Sequence, residues 1–514
     1  MPATMPWDLF PNVRTVLATV AVYLLAKTAI QWWRSRLRNL PPGPIGFPIV
    51  GAVPYILLSS VSPQETFRCW SQIYGKILSL RVGNRIFVVL NDFDMINEAL
   101  HHPDLQNRPT QTIEALQKST GSSHALHTGV TTANGQAWKD QRRFMHNVLR
   151  ELGVNKTLFE EHIQSEVTTI TGEIDLLKGK PFDPQELLTC PVSNIICGVA
   201  FHKRYNYESL EFKHLLSIVS TMSGFPISAS AIGTVPALRH LPFGPHVKFI
   251  QCFKEFHEIL DNLISDRKTL GVVDSGTVNC MIDAYLLEVE KTKLGRGTLT
   301  DFMKRSTIHA NIGALFFAGS DTTVTTLVWA LLFFTLYPDV QVKCHEEIDR
   351  VIGQDRPLHL ADRPNLPYLE ATIAEVQRMG DIAPVGVPHS ARCDVQFHGY
   401  TIPKKAMIIP NIHAVMFDEH LWDNPYSFQP ERFLNKEGQF VKSPKLIPFG
   451  TGPRKCLGEQ VAQMQIFLFL SSLLQRFTFL LPNGAPKPTL EGTTGVTFKP
   501  LPFQVRAEPR AVVT

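Results

Sequence analysis

A single cysteine in a glycine-rich loop most constrains how this chain can fold. Cys456 lies in the segment PFGTGPRKCLG, residues 448–458, with no second cysteine nearby. A local disulfide or a four-ligand zinc site therefore does not fit. Arg454 and Lys455 favour the thiolate, and the strongly helical residues that follow add the positive end of a helix. The pattern predicts a thiolate that ligates a metal cofactor carrying its own remaining ligands, and haem iron fits.

The composition is typical of a large globular protein with an apolar interior. Of its 514 residues, 44% are hydrophobic, and 32 are phenylalanine. The net charge of +4 is small for this length and no concentrated basic stripe is evident, so no nucleic-acid partner is expected. The eight cysteines are scattered without a C-x-x-C pair, which favours a cytosolic setting.

The N-terminal residues predict a membrane anchor. The stretch TVLATVAVYLLAKTAIQWW, residues 15–33, carries a single charge and has about the length that crosses a bilayer as a helix. Arginines follow at positions 34, 36 and 38, so the positive-inside rule predicts that the remainder of the chain faces the cytosol. An amphipathic helix lying on the membrane surface is the alternative. The proline-rich stretch LPPGPIGFPIVG then predicts a stiff, extended hinge.

Helical periodicity dominates the rest of the chain, with a smaller β portion. It predicts helices over residues 137–152, 248–268, 338–352 and 366–379. The longest predicted helix covers residues 299–337 and is apolar enough to run through the centre of the protein. Residues 76–91 contain a Gly-Asn turn between two apolar runs and predict a hairpin, and residues 390–411 predict short strands.

The cysteine loop resembles the haem-binding signature of the cytochrome P-450 family. The pattern F-x-x-G-x-R-x-C-x-G is filled by Phe449, Gly452, Arg454, Cys456 and Gly458. A buried structural cysteine near a turn is the alternative, and five matching positions make it improbable. The resemblance implies the cytochrome P-450 fold and a b-type haem, iron protoporphyrin IX. It makes the Cys456 thiolate the axial iron ligand, and the other four residues part of the haem-binding loop.

The segment AGSDTT lies within the predicted central helix and resembles the family's oxygen-activating segment. By this resemblance, Thr322 steadies bound dioxygen and Asp321 helps to deliver protons. Ala318 and Gly319 are expected to leave room for oxygen, because larger side chains would fill that space. The structural alternative is a threonine that merely bonds back to its own helix.

Further motifs follow in the order in which the family has them. AWKDQRR places Trp138 and Arg142 on one helical face, as in the family's helix that holds a haem propionate. The resemblance also assigns propionate contacts to His389 and Arg454, and more weakly to Arg108.

The E-x-x-R motif consists of Glu375 and Arg378, which lie on one face of a predicted helix. A solvated surface pair is the usual explanation for such a spacing. The resemblance instead joins them to Arg432 in a buried ion-pair network with a folding role and no part in the chemistry.

The substrate cavity is also assigned by resemblance. It should include Phe316, Phe317, Ala318, Val385 and Val496. Phenylalanines there would favour apolar or aromatic ligands. Core packing is an equally good explanation for any single one of them.

The resemblance covers essentially the whole chain and implies a membrane-bound haem-thiolate monooxygenase. Residues 1–38 would be the anchor with its basic stop, residues 39–51 the hinge, and residues 52–514 the haem-binding catalytic domain. The enzyme would insert one atom of O2 into a small apolar substrate, such as a fatty acid, a steroid or a xenobiotic. Motif style is most similar to the animal microsomal branch and its family-2-related group, which implies the endoplasmic reticulum membrane with the catalytic domain facing the cytosol.

Electrons must come from another protein, because no GxGxxG motif follows a predicted strand. The resemblance implies NADPH–cytochrome P-450 reductase, with cytochrome b5 as a further candidate. Two other functions stay open, namely a haem-thiolate isomerase or dehydratase that acts without O2, and a non-catalytic lipid carrier. The intact Asp321–Thr322 pair favours the monooxygenase, because an isomerase has no need to deliver protons to dioxygen.

Overall fold

The computed structural model describes residues 15–510, except for 21, 24–25, 28, 31–37, 49, 84, 111–128, 155–156, 225–244, 272–274, 295–304 and 355. Within the described residues the helices are α1 Val53–Leu57, α2 Pro63–Tyr74, α3 Phe93–His101, α4 Gly135–Glu151, α5 Thr157–Leu177, α6 Pro184–Phe201, α7 Leu210–Ser223, α8 Pro245–Thr269, α9 Met281–Lys293, α10 Arg305–Leu336, α11 Pro338–Val351, α12 Pro367–Gly380, α13 Ile412–Met416 and α14 Glu459–Arg476. The strands are β1 Ile77–Val82, β2 Arg85–Leu90, β3 His389–Ser390, β4 Val395–Phe397, β5 Tyr400–Ile402, β6 Met407–Pro410, β7 Phe477–Leu480, β8 Gly492–Thr494, β9 Phe498–Pro500 and β10 Arg506–Pro509. Two short 3-10 helices, Leu360–Asn365 and Pro430–Phe433, complete the description.

The predicted mainly helical architecture with a smaller β portion is confirmed. Helices α4, α8, α11 and α12 overlap the four periodic segments to within a few residues, and β1 and β2 form the predicted antiparallel hairpin. Of the predicted central helix, the described part is α10, because residues 295–304 lie outside the description.

Helix α10 is the axis of the main core. It is apolar around its whole circumference, which a helix tolerates only when other elements surround it. Among the described residues, its segment Thr307–Leu336 is the one helix long and apolar enough to cross a membrane. Of the 18 most apolar consecutive residues of this segment, 72% are buried inside the protein, so this helix belongs to the core. Trp329, Phe333 and Phe334 are almost completely buried along it.

The larger sheet has the strand order β1-β2-β6-β3, with β2 and β6 parallel and the other pairs antiparallel. It places His389 opposite Ile408 at one edge. A separate hairpin of β8 and β9 pairs Thr494 with Phe498. The Trp329 indole donates to the carbonyl of Phe498 at 3.0 Å, which ties this hairpin to the central helix.

The proline-rich segment 39–51 lies against strand β1. The Ser79 hydroxyl donates to the carbonyl of Pro41 at 2.6 Å, and the Ser79 backbone N–H donates to that of Pro42 at 2.8 Å. A Cβ on Gly43 would lie 1.8 Å from the Ser79 carbonyl oxygen, so only glycine permits this approach. The segment thus makes specific backbone contacts with the sheet.

Most of the predicted membrane anchor, including residues 1–14 and 31–37, lies outside the described residues. Where the structure describes it, between Thr15 and Ile30, the backbone is helical. Its apolar side chains there are exposed, for example Val16 at 59% and Val22 at 66%.

Candidate active site

The cysteine loop is closed by its own backbone just before α14. The Cys456 N–H donates to the carbonyl of Phe449 at 2.9 Å. Gly450 and Gly452 have φ of 72° and 76°, and a Cβ on Gly452 would lie 2.5 Å from the Leu100 carbonyl oxygen. Gly458 has a φ of −93°, which other residues also adopt. The backbone conformation of the loop therefore explains Gly450 and Gly452.

The Cys456 thiol is solvent-accessible although it lies deep among protein atoms. Those atoms raise the pKa of the thiol by desolvation, while the Gly458 N–H, Arg142 and Lys455 act to lower it. Arg142 can lower the pKa of Cys456 because its guanidinium lies close to the loop, where it donates to the carbonyl of Lys455 at 2.8 Å. Cations and a helix start thus surround a sulfur that protein burial alone would keep protonated.

Arg454 of the same loop is buried and stacks on Trp138. Its guanidinium carbon lies 3.9 Å from the centroid of the Trp138 ring. Its nitrogens donate to the carbonyls of Ala133 at 2.8 Å and Gln106 at 3.1 Å, and to the Asn134 side-chain oxygen at 3.1 Å. All of these acceptors are uncharged.

Arg108, Arg142 and Arg454 form a cluster of cations without a carboxylate. Arg108 donates to the carbonyls of Val387 at 2.6 Å and Pro388 at 2.9 Å, while its buried Nε has no hydrogen-bond partner. Desolvation and the neighbouring guanidiniums lower the pKa of Arg108 to about 10 and that of Arg454 to about 9. Within the described part of the chain, no ion pair with a carboxylate joins any of the three. The cluster therefore suits an anionic ligand.

His389 lies beside this cluster as a neutral imidazole. Burial, followed by the charges of Arg108 and Arg454, lowers the pKa of His389 to about 3. Its Nδ1 lies 3.1 Å from the carbonyl oxygen of Leu105. Because a carbonyl can only accept, Nδ1 carries the proton, and Nε2 is the free acceptor.

The polar segment of the central helix interrupts an otherwise buried surface. Ala318 is exposed and Thr322, one turn further on, is half-buried. The Thr322 hydroxyl donates to the carbonyl of Ala318 at 2.6 Å, which is the local bond that a mid-helix threonine commonly makes. Gly319 instead faces helix α6, since an added Cβ would lie 2.7 Å from Ile196. Its small size therefore serves helix packing, contrary to the expectation that it leaves room for oxygen.

Asp321 is held by two residues of the β8–β9 hairpin that the sequence did not suggest. Its Oδ2 accepts from the Thr497 hydroxyl at 2.7 Å, and its Oδ1 lies 2.5 Å from the Lys499 ammonium. Asp321 is 7% exposed and Thr497 is 2% exposed. The predicted proton-delivering carboxylate is thus part of a buried ion pair.

The five residues predicted for the substrate cavity lie in different surroundings. Phe316 is completely buried and packs with Phe256 in the main core, and Phe317 is partly buried against the same ring. Val385 is buried in a small core beside the sheet. Ala318 is exposed on α10, and Val496 is 64% exposed between β8 and β9.

Glu375, Arg378 and Arg432 meet in a buried ion-pair network. Arg378 donates through Nε and Nη2 to the two oxygens of Glu375, at 2.7 and 2.8 Å. The Arg432 Nε donates to the same carboxylate at 3.1 Å, as does the backbone N–H of Gln429 at 2.9 Å. The Glu375 and Arg378 side chains are completely buried. Every polar atom of this carboxylate is therefore used inside the protein.

Comparison with known proteins identifies the chain. A profile of the family described as Cytochrome P450 matches residues 41–507. The chain belongs to the cytochrome P450 family. Among its relatives is cytochrome P450 2U1 of Rattus norvegicus, 37% identical over 97% of this chain and 97% of the relative. Cytochrome P450 2U1 of Homo sapiens is 35% identical over 94% and 93%, and cytochrome P450 2J2 of Homo sapiens is 35% identical over 97% and 96%.

Membership makes this cytochrome P450 an oxidoreductase, a monooxygenase with a cysteine-ligated b-type haem, and groups it with the membrane-bound enzymes of the endoplasmic reticulum. The residues present fit that haem. Haem b carries two propionate carboxylates. Among the described residues, the guanidiniums of the arginine cluster have no carboxylate of their own, and the buried Nε of Arg108 has no hydrogen-bond partner. The accessible thiol of Cys456 offers a ligand for the iron.

The sequence motifs missed the partners of several site residues. Thr497 and Lys499 lie 176 and 178 residues from Asp321 in the sequence. Asn134, which accepts a hydrogen bond from Arg454, lies 320 residues from that arginine. No periodicity or short motif links positions so far apart. The one sequence signal that could have pointed to Thr497 and Lys499 is that these two polar residues flank Phe498 in the β8–β9 hairpin.

Proposed function

We propose that this cytochrome P450 inserts one oxygen atom from O2 into a small apolar substrate of the fatty acid, steroid or xenobiotic class. The exposure of Ala318 in the middle of a buried, apolar helix carries this proposal. A small residue there presents an accessible apolar surface, with the Thr322 hydroxyl one turn away. Phe317, half-buried beside it, adds aromatic surface.

The haem, when bound, supplies the thiolate-supported iron chemistry that activates O2. The residues of this chain hold and surround it. Cys456 would ligate the iron, and Arg108, Arg142 and Arg454 would bind the propionate carboxylates, with Trp138 supporting Arg454 by stacking. His389, neutral and donating its Nδ1–H to the carbonyl of Leu105, presents an uncharged acceptor, Nε2, beside the same cluster.

Proton supply is assigned to the pair of Asp321 and Thr322 on the central helix. The Thr322 hydroxyl can exchange its bond to the Ala318 carbonyl for one to a water or a ligand, because it is only half-buried. Asp321 is a carboxylate one residue away and is the nearest acid in the helix. Both roles are proposals that follow the family resemblance.

Electrons reach the enzyme from NADPH through a separate reductase, with cytochrome b5 as a further donor. Lys455 and Lys442 are exposed on the side of the protein that carries the cysteine loop, and both lie near Glu459, at 3.1 and 3.6 Å. Exposed lysines of this kind meet an acidic protein surface and speed association at low salt. The rate of reduction should therefore fall as ionic strength rises.

Residues 1–38 are proposed as an anchor in the endoplasmic reticulum membrane that leaves the catalytic domain, residues 52–514, in the cytosol. The exposed apolar side chains between Thr15 and Ile30 support a helix that contacts lipid. The segment 39–51, docked on β1, would hold the domain at a defined distance from the membrane.

The test is a titration of the ferric holoprotein with fatty acids, steroids and drug-like compounds, followed by absorbance of the Soret band. A low-to-high-spin shift with one class identifies the substrate class. Turnover of that compound with NADPH and reductase, and none without reductase, supports the monooxygenase. Conversion without O2 or reductase would indicate an isomerase, and binding without any conversion a carrier.

A further inference from the structure

Three buried polar side chains join the central helix to two neighbouring helices. They are Asn311 of α10, Gln141 of α4 and Tyr285 of α9, each no more than 1% exposed. The Asn311 Nδ2 donates to the Gln141 Oε1 at 2.6 Å and also to the Tyr285 hydroxyl oxygen. That hydroxyl donates to the same Oε1 at 3.1 Å. Polar groups buried this deeply need hydrogen-bond partners, and these three supply them to one another.

The other end of the Asn311 amide holds a turn segment, residues 129–134, that directly precedes α4. The Asn311 Oδ1 accepts the backbone N–H of Val130 at 2.6 Å. Because a backbone N–H can only donate, this bond fixes which end of the amide carries the oxygen. The segment also lies close against the central helix, since a Cβ on Gly129 would lie 2.8 Å from the Cβ of Ala310.

Segment 129–134 in turn holds two arginines of the cluster described above. Arg454 donates through Nη2 to the carbonyl of Ala133 at 2.8 Å and to the Asn134 side-chain oxygen at 3.1 Å. The same oxygen accepts the backbone N–H of Arg108 at 2.6 Å, and the Asn134 Nδ2 donates to the Arg108 carbonyl at 3.0 Å. The Arg454 guanidinium and the Arg108 backbone therefore depend on this segment for their positions.

The third arginine and the stacking tryptophan belong to the same assembly through α4. Gln141 precedes Arg142 in that helix, and the helix also carries Trp138, on which Arg454 stacks. A ligand held by several groups is bound more tightly when those groups already have fixed positions, because less conformational entropy is lost on binding. A bond network that fixes segment 129–134 and α4 together is thus suited to fixing the cluster.

We propose that Asn311 is a positioning residue for haem binding. With Gln141 and Tyr285 it fixes segment 129–134, and through that segment the arginines that receive the haem propionates. The proposal rests on the propionate role that the proposed function gives to these arginines. The anchoring of segment 129–134 by Asn311 is independent of that role.

The experiment compares the full-length holoprotein with its Asn311→Leu variant, which keeps a similar side-chain size and removes both ends of the amide. Hydrogen–deuterium exchange at residues 129–134 should be faster in the variant, because the Val130 N–H loses its acceptor. Transfer of haem to an excess of apomyoglobin should be about tenfold faster. Tyr285→Phe leaves the Val130 bond in place and should raise both rates by a smaller factor. It gives a second test should Asn311→Leu fold poorly.

Asn194→Leu is the matched control. Asn194 lies in α6, is 3% exposed and bonds the N–H and the carbonyl of Tyr205 at 3.0 and 2.8 Å. It is therefore another buried asparagine that holds a backbone N–H of a separate segment, away from the arginine cluster. Its replacement should lower the midpoint temperature of unfolding and leave haem transfer and the exchange of residues 129–134 unchanged.

A double-mutant comparison tests whether Asn311 acts through Arg454. In an Arg454→Gln background, Asn311→Leu should accelerate haem transfer much less than it does in the parent, because the residue that it positions is already lost. Equal acceleration in both backgrounds would contradict this route.

Unchanged exchange of residues 129–134 in Asn311→Leu would overturn the proposal, and so would faster exchange with unchanged haem transfer. Equal acceleration of haem transfer by Asn194→Leu would overturn it as well, since general loosening would then explain the effect. Retention of haem by Arg454→Gln at the parental level would instead overturn the propionate role in the proposed function. The exchange measurement would still decide whether Asn311 anchors the segment.

Discussion

Two buried clusters of arginine differ in one respect, which is whether the protein supplies the negative charge. Around Glu375, two guanidiniums and a backbone N–H share one carboxylate, and all partners lie within the chain. Around Arg108 and Arg454, the acceptors are carbonyls and an amide, and one buried nitrogen has no partner. The first cluster is complete without a ligand, and the second is suited to one. The comparison separates scaffold from binding site by charge balance alone.

The largest effect should come from breaking the complete cluster. Glu375→Gln leaves Arg378 and Arg432 as buried cations without a counter-charge. Removing one partner of such a buried pair costs about 3–5 kcal/mol in the free energy of unfolding. We expect a strongly reduced yield of folded protein and a lower midpoint temperature of thermal unfolding, both with and without haem. The control Lys343→Gln breaks an exposed pair and should cost less than about 1 kcal/mol; an equal loss in both variants would contradict the argument.

A third cluster, in which one cation meets two carboxylates, sharpens the comparison through pH. His413 lies 2.7 Å from Asp381 and 2.8 Å from Glu65. Burial by itself lowers the pKa of His413, but these carboxylates outweigh it and raise the value from 6.5 to about 9. The stabilisation is therefore complete below the unfolded pKa and disappears as the pH rises through the folded one. We expect a loss of roughly 3 kcal/mol.

The measurement is denaturant unfolding of the parent and of His413→Gln across that pH window. The difference in unfolding free energy between the two proteins should be largest at the acidic end and vanish at the alkaline end. A difference that stays constant with pH would show that His413 is not charged in the folded protein. Arg68, which also pairs with Glu65, remains in both proteins and cancels in the comparison.

A smaller effect is expected from the incomplete cluster, and in haem binding more than in folding. Arg142 is half-buried and donates to one carbonyl, so Arg142→Gln should hardly alter unfolding of the haem-free protein. It should weaken haem retention by about 1.5–3 kcal/mol, the usual value for a hydrogen bond to a charged group. Transfer of haem to an excess of apomyoglobin measures this loss. Equal destabilisation of the haem-free and haem-bound forms would remove the distinction between the clusters.

The smallest effect concerns the loop that carries Cys456. Gly452→Ala places a Cβ 2.5 Å from the Leu100 oxygen at a φ of 76°, so the loop must shift. We expect about 1–2 kcal/mol of destabilisation and a perturbed Soret band. Gly172→Ala in helix α5 is the control, since an added Cβ there meets no atom within 4 Å and its φ is not in the left-handed region. Similar spectra for the two variants would show that loop strain does not reach the thiolate.

The sequence predicted those parts of the fold and site that depend on residues close together in the chain. Hydrophobic periodicity located α4, α8, α11 and α12, because each of these helices buries a face that repeats every three to four residues. The central helix α10 was evident instead from the length of its apolar run. The cysteine loop was evident because its cations, glycines and following helix all lie within a few positions of Cys456. The role of Gly319 was misjudged, because the residue that it faces, Ile196, belongs to another helix.

The sequence by itself determined the membership of the family, the thiol available to haem and the mainly helical architecture. Only the tertiary structure decided which charges are paired. It pairs Asp321 with Lys499 and His413 with two carboxylates, and among the described residues it leaves the arginines around Arg108 without a carboxylate. The physical reason is that a salt bridge needs atoms within about 4 Å, and packing alone brings together side chains that are hundreds of residues apart.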